Sequence, residues 1–310
     1  AFLKVHHPAE FMAAVISNQG GFYSAFAYVS EARRLGLTVL PPDVHASEVH
    51  WAGKAAALRV GLLSVKGLSV ETRERIVGGR ASRGYAGLGD FLERVRPDAS
   101  ELRALVHCGA LDALAPGASR AELLWEAARR LQSRPADRGA AGNRSLFAAP
   151  EAENHTPRLP PDDARERLRR EFAVLGFLCD RHPMELYADA ARRSGAVKAA
   201  DLPQWIGRKV RFAGWLITGK VVATRNGEPM EFLTFEDETG LVEATFFPEA
   251  YRRFCHLLDR ERPYLLSGKV EADWGAVTLT VEAVSALTAT AKKVMDRSIR
   301  GTFCSKTRSD

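Results

Sequence analysis

The hydrophobic periodicity of this 310-residue chain changes near Asp201, and that change limits what it can fold into. Beyond it the pattern alternates with the period of two that marks strands. RKVRFAGWLITGKVVAT reads as one long strand, with a bend expected at Gly214 or Gly219, because glycine inside a strand marks a bend or a close approach. Asn226-Gly227 is a two-residue hairpin signal. PMEFLTFED and LVEATFF follow as strands, with a turn at Thr239-Gly240 between them. PEAYRRFCHLLD is a short helix with proline in its first turn. RPYLLSGKVEA and AVTLTVEAV then form a last hairpin, turned at Asp273 to Gly275. Three strands, a helix and two strands is the order of an OB-fold, a five-stranded Greek-key barrel that often binds oligonucleotides. The expected fold class is therefore α+β and multidomain: a helical region with tandem helix-hairpin-helix elements, followed by an OB-fold barrel.

Before Asp201 the spacing is mostly helical. His7-Pro8 opens one helix, kept in phase by Phe11, Met12, Val15 and Ile16 and broken at Gly20-Gly21. Phe22, Phe26, Val29 and Ala32 mark a second, stopped near Gly36. LTVLPPDV is a short strand ended by Pro41-Pro42, and HASEVHWAGKAAALRV gives one or two short strands with a turn at Gly53. In VGLLSVKGLSVETRERIVGG an apolar helix end (Leu62, Leu63, Val65) runs into Lys66-Gly67-Leu68-Ser69. A second helix then carries Arg73, Arg75, Ile76 and Val77. GLGDFLERV, ASELRALVHCGALDAL and ASRAELLWEAARRLQ supply three more helices, and ARERLRREFAVLGFL another, with Asp162 or Asp163 as N-cap. Residues 133–163, rich in Pro, Ala, Gly and charge, read as a flexible linker, 164–200 as a helical connector, and 288–310 as a disordered polar tail.

The net charge of +6 and pI near 9.2 fit a polyanionic partner. No apolar run is long enough for a membrane span, so no membrane partner is expected, and nothing at the start resembles a signal peptide. The four cysteines form no CxxC pair and the histidines show no ligand spacing, so no metal site is assigned and a reducing cytoplasm fits. There is no phosphate-binding GxxxxGK[ST], no HExxH and no nucleophile elbow, and no catalytic residue is assigned. The chain opens on Ala1, in sequence that reads as mid-domain, and is expected to be a fragment.

Two candidate nucleic-acid sites follow. A helix start offers backbone N–H groups to an anion. The turn from Gly67 through Leu68 to Ser69 would present them to a duplex phosphate without reading bases, with Lys66, Ser69, Thr72 and Arg73 adding side chains. Ser69 stands where this signature usually has a second glycine. The ordinary alternative is a helical turn with a solvated basic face. Lys66 with Asp90 is the pairing of a helix-hairpin-helix glycosylase, but Asp90 is better read as a helix N-cap. In the barrel, bases and aromatics alternate, and Arg211, Lys220, Arg225, Lys269 and Trp274 are the candidate contacts to a single strand. Most other aromatics should fill the barrel. Phe232 and Phe235 have opposite parity, so only one faces inward. NRSLF in the linker is a candidate docking peptide through Asn143, Leu146 and Phe147, or else a chance apolar patch.

AFLKVHHPAEFMAAVISNQ, GLTVLPPDVHASEV, LRVGLLSVKGL, GDFLERV, LVHCGALDAL, REFAVLGFLCDRHPMELY and EFLTFEDETGLVEATFFPEAYRRF together resemble the C-terminal half of the bacterial DNA polymerase III alpha family, nearer its error-prone branch. They span most of residues 1–287. The resemblance implies that residues 1–55 end a fingers region and that 56–132 carry tandem hairpins gripping duplex, LVHCGALDAL being the weaker second one. It also implies that 201–287 is an OB domain near single-stranded template. NRSLF takes the place of a sliding-clamp peptide of the type Gln-x-x-Leu-Phe, with Asn143 where glutamine is expected. Partners so implied are DNA, duplex and single-stranded, with the clamp or other polymerase accessory proteins as candidates. The family's palm aspartates, which hold two magnesium ions, are not among these residues. The chain alone is therefore expected to need no cofactor and to be inactive, in a bacterial, nucleoid-associated setting. A non-catalytic accessory module of the replication or repair machinery is the alternative. A glycosylase-type repair enzyme is the third reading.

Overall fold

The computed structural model describes residues 2–19, 23–132, 159–160, 163–273 and 275–288. NRSLF and Trp274 lie outside the described residues.

Helices α1 (Phe2–His6), α2 (Pro8–Ser17) and α3 (Ala25–Arg34) open the chain. Pro8 occupies the first turn of α2, where a missing N–H costs nothing. The Ser24 hydroxyl caps α3 by accepting the Ala27 N–H, and Gly36 ends that segment at φ +81°. Strands β1 (Thr38–Leu40), β2 (Ala52–Lys54) and β3 (Ala57–Arg59) form a small sheet, with β3 central, parallel to β1 and antiparallel to β2. The turn lies at Ala55-Ala56 and not at Gly53. Gly53 sits inside β2 because a Cβ there would stand 2.1 Å from the Ala9 carbonyl oxygen, where α2 packs on the strand.

A 3₁₀ turn (Leu62–Ser64) follows where the sequence suggested a helix end. Then come α4 (Val70–Ser82), α5 (Leu88–Val95), α6 (Ala99–His107), α7 (Arg120–Gln132) and α8 (Ala164–Leu175). Asp90 is not an N-cap: Gly87 holds that position, and Asp90 lies in the first turn of α5. Its carboxylate accepts the Ala86 N–H at 3.0 Å and pairs with Arg83 and Arg94. Asp163 is the N-cap residue of α8 but makes no capping bond. Leu58, Leu62, Ile76, Phe91, Leu105 and Phe177 are fully buried in one continuous core under these helices.

Helix α9 (Ala188–Arg193) leads to the barrel: β4 (Lys209–Ala223), β5 (Pro229–Glu236), β6 (Leu241–Phe246), α10 (Pro248–Phe254), β7 (Pro263–Asp273) and β8 (Ala276–Ala286). The five strands close in the order β4-β5-β6-β8-β7, with β6 and β8 parallel. This is the OB-fold arrangement. The register of β4 shifts between Leu216 and Thr218, so the irregularity falls between the two candidate glycines. Phe212, Phe235, Phe246, Tyr264 and Leu279 fill the interior. Phe235 is fully buried and Phe232 is 42% exposed, which settles their parity.

Trp215 points out of the barrel and yet is buried, because the helical body covers it. Its ring lies 5.2 Å from Phe172 of α8 and 6.0 Å from Phe26 of α3, and its indole N–H donates to the Arg260 carbonyl at 2.9 Å. Ala213, Ile217 and Leu287 join the same core, so barrel and helical body share one packed junction.

Candidate nucleic-acid interface

The first hairpin is built by short-range constraints. Gly67 adopts φ +80°, a conformation that glycine reaches without strain, and no atom approaches within 4 Å of where its Cβ would stand. The Lys66 N–H donates to the Val174 carbonyl of α8 at 3.2 Å, which ties the turn to the connector. Ser69 is the N-cap of α4, and its hydroxyl accepts the Thr72 N–H at 3.2 Å.

Behind the turn lies a carboxylate that the sequence reading did not single out. Glu101 of α6 is 5% exposed. It accepts the Ser69 N–H at 3.0 Å, the Ser69 hydroxyl at 2.6 Å and the Thr72 hydroxyl at 2.9 Å. It also accepts the Asp98 N–H at 3.0 Å, completing the capping box of α6. One carboxylate thus serves the N-termini of two helices, where partial positive charge gathers. Burial pushes the Glu101 carboxyl up, but the bonds from Ser69, Asp98 and Thr72 outweigh it and hold the group below its usual range. The Asp-x-x-Glu spacing at 98–101 was the available signal for the capping box. The cross-contact to Ser69 had none.

This arrangement sorts the candidate residues. Thr72 and Leu68 are buried, and the N–H and hydroxyl of Ser69 are held by Glu101. Lys66 and Gly67 are exposed, and Arg73 is half-buried. Arg75, exposed, donates to the Thr72 hydroxyl at 2.7 Å. The outward surface of the turn is therefore Lys66 and Gly67, flanked by the arginines of α4.

The second hairpin, at Gly109 (φ +83°), is covered. A Cβ there would meet Arg120 Nη2 at 2.2 Å and Asp112 Oδ2 at 3.0 Å. Arg120 is fixed above the turn by its pair with Asp112 at 2.9 Å and by donation to the His107 carbonyl at 2.8 Å.

On the barrel, strand pairing sets several candidates in one row around the outer wall. Lys220 stands opposite Phe232, Phe232 opposite Thr245, Thr245 opposite Thr280, Thr280 opposite Lys269, and Lys269 opposite Lys209. Lys220, Phe232, Lys269 and Lys209 are exposed. Arg225 is exposed in the β4–β5 turn. Arg211 lies two residues from Lys209 on the same outer face of β4, beside this row, and donates to the Ser194 carbonyl at 3.1 Å. Among the described residues, no group of three His, Cys, Asp or Glu side chains is placed to hold a metal, and no helix is long and apolar enough to cross a membrane.

Residues 36–123 match the family model of a helix-hairpin-helix motif, and residues 210–287 match that of an OB-fold nucleic acid binding domain. The fold thus places the chain in the class that joins a hairpin-bearing helical body to a nucleic-acid-binding barrel. Whole-chain relatives narrow this. The error-prone DNA polymerase of Symbiobacterium thermophilum is 30% identical over 93% of this chain and 30% of its own length. That of Mycolicibacterium paratuberculosis is 32% identical over 93% and 26%. The DNA polymerase III subunit alpha of Aquifex aeolicus is 29% identical over 88% and 23%. The chain belongs to the bacterial DNA polymerase III alpha family, corresponds to its C-terminal region and is similar to its error-prone members. It spans less than a third of the length of these relatives.

Proposed function

We propose that this chain is the DNA-holding portion of an error-prone DNA polymerase, taking duplex on the first hairpin and single-stranded template on the barrel. The observation that carries the reading is the exposed Phe232 opposite Lys220 on the outer wall, in the same row as Lys269. A base stacked on an aromatic contributes about 1–3 kcal/mol without regard to sequence, and flanking cations hold the backbone. Arg225 extends this surface at the β4–β5 turn. At the hairpin, Lys66 and the open backbone of Gly67 meet a duplex phosphate, with Arg73 and Arg75 behind them. Contacts of this kind position DNA and read no bases. Nucleotidyl transfer and its magnesium ions are assigned to parts of the polymerase other than these residues, and the chain alone should extend no primer. The bacterial cytoplasm is the setting this function requires.

The test is fluorescence anisotropy of the chain with labelled single-stranded, duplex and primer-template DNA across a salt series. With roughly five phosphates neutralised, log K should fall with log salt at a slope of about −4 to −5. A Lys66→Glu/Arg73→Glu variant should lose duplex binding and keep single-strand binding. Absence of DNA binding by the wild type at low salt would reject the reading and favour a protein-docking role.

A further inference from the structure

We propose that the connector between the helical body and the barrel is itself a phosphate-binding surface: a track of cations running from α8 across α9 onto the outer edge of β4. The inference rests on the DNA-binding reading and adds to it a site between the hairpin and the barrel wall.

Helices α8 and α9 together carry six arginines against three acids. One of those acids, Glu171, is buried and accepts the Cys179 N–H at 2.8 Å, so it does not offset the surface charge as an exposed acid would. Arg165 and Arg169 are four residues apart on α8 and share a face. That face looks at α9. Arg165 pairs with Asp189, and the Arg169 charge acts on the Tyr187 phenol, opposing the upward push of burial there. Arg192, at the end of α9, has a side chain 78% exposed and stands 3.6 Å from the same Asp189.

The track then passes to the barrel. The Ser194 carbonyl, just beyond α9, accepts from Arg211 of β4, and Val197 bridges to Phe212 in parallel register. Arg211 and Lys209 are exposed two residues apart on β4, so they point to the same side. Lys209 faces Lys269 across the β4–β7 pair. Cations from three elements distant in sequence are thereby set along one surface.

The acids along it do not close it. Arg169 stands 3.7 Å from Glu166, Lys209 pairs with Glu282 at 2.8 Å and Lys269 with Glu271 at 3.3 Å, all on exposed side chains. Exposed pairs of this kind are worth about 0–1 kcal/mol, and a phosphate competes with them readily. Asp189 is shared between two arginines and cannot neutralise both. At the other end of α8, Val174 accepts the Lys66 N–H of the first hairpin. The helix is 12 residues long, about 18 Å. That length matches about five phosphates of one strand. A DNA strand leaving the hairpin would follow α8 to the barrel, held by its phosphodiester backbone with no base readout.

The test compares an Arg169→Gln/Arg192→Gln variant with a control, Arg252→Gln/Arg253→Gln on α10, in the full chain, by anisotropy on labelled single-stranded and duplex DNA over a salt series. Thermal melts check that each variant is folded. The connector variant should flatten the salt slope by about 1.4 to 1.8, and weaken binding about tenfold at low salt, on at least one DNA form. The form affected identifies the strand that uses the track. The control should stay within about twofold. An unchanged slope on both forms, or an equal loss in the control, overturns the proposal. Loss of duplex binding in Lys66→Glu/Arg73→Glu beside an unchanged connector variant would sink the track alone. A wild type that binds no DNA would sink the parent reading and the track with it.

Discussion

The two glycine hairpins of the helical body are near twins in backbone and opposites in surface. Gly67 and Gly109 sit at φ +80° and +83°, each after a short apolar run. Nothing stands over Gly67. Over Gly109 lies Arg120, held by Asp112 and by the His107 carbonyl. The polar support is reversed as well. Glu101 holds the first turn from behind and leaves its front open, whereas the Arg120–Asp112 pair closes the front of the second. A local sequence signature thus fixes the turn, and residues outside it decide whether the turn can meet a partner.

The sharpest way to break this comparison is to remove the two supports. Glu101→Ala strands four donors: the N–H and hydroxyl of Ser69, the Thr72 hydroxyl and the Asp98 N–H. Hydrogen bonds to a charged group contribute about 1.5–3 kcal/mol each, and water can replace only part of that in a buried site, so the expected loss is about 3 kcal/mol or more. Arg120→Ala removes a largely buried arginine, its pair with the half-exposed Asp112 and its bond to the His107 carbonyl, and about 2 kcal/mol is expected. Urea midpoints of the full chain report both. Equal losses would mean that the first turn is not held from behind.

The glycines themselves give a smaller effect than Glu101→Ala, one that is sharper in function. Alanine at either site meets the left-handed penalty of about 1 kcal/mol. Gly109→Ala must also displace Arg120, for a total of about 2 kcal/mol, and should leave duplex affinity unchanged in a folded sample. Gly67→Ala has room, should cost only the backbone term, and should weaken duplex binding in the anisotropy assay. If Gly109→Ala weakens binding as much as Gly67→Ala does, the covered hairpin is not closed to DNA.

The same contrast separates what the sequence could show from what it could not. The barrel was legible because its signals are local: alternation along β4 to β8, Asn226-Gly227, and a turn glycine at Gly275. Parity told that Phe232 and Phe235 face opposite ways, but the direction depended on which wall closes. Trp215 alternates as an outward residue and is buried only because α3 and α8 lie over it. Gly53 reads as a turn because glycine usually is one; the helix that demands it approaches from 44 residues earlier in the chain. The capping box at Asp98 and Glu101 was readable, yet its reach to Ser69 spans 32 residues. The cations of the connector look like a solvated helix until α9 and β4 are placed beside them. What local pattern misses in each case is a contact made by tertiary structure.

Acidity gives the smallest expected effect and isolates the Glu101 support from the rest of the fold. Hydrogen bonding holds the folded-state pKa of Glu101 below the ordinary value of 4.5, against the opposing push of burial. A carboxyl depressed in this way binds fewer protons folded than unfolded. Its contribution is complete above about pH 4.5 and is lost as the pH falls through the folded value. His182 loses stability over a neighbouring range. Burial lowers its pKa from 6.5 to about 3, so stability drops as the pH falls from about 6.5 towards 3. That loss is common to wild type and Glu101→Gln, because His182 sits against Phe26 of α3 and Glu236 of β5, at the junction with the barrel. The difference between the two proteins is therefore the quantity to follow, by urea midpoints at pH 7, 5, 4 and 3. It should be largest and flat above pH 5, then shrink towards pH 3 as the wild-type carboxyl gains its proton and comes to resemble the amide. A difference that stays constant to pH 3 would mean that the first hairpin is held by the shape of the side chain at 101 and not by its charge. The contrast with the ion-paired cover of the second hairpin would then have to be drawn on packing alone.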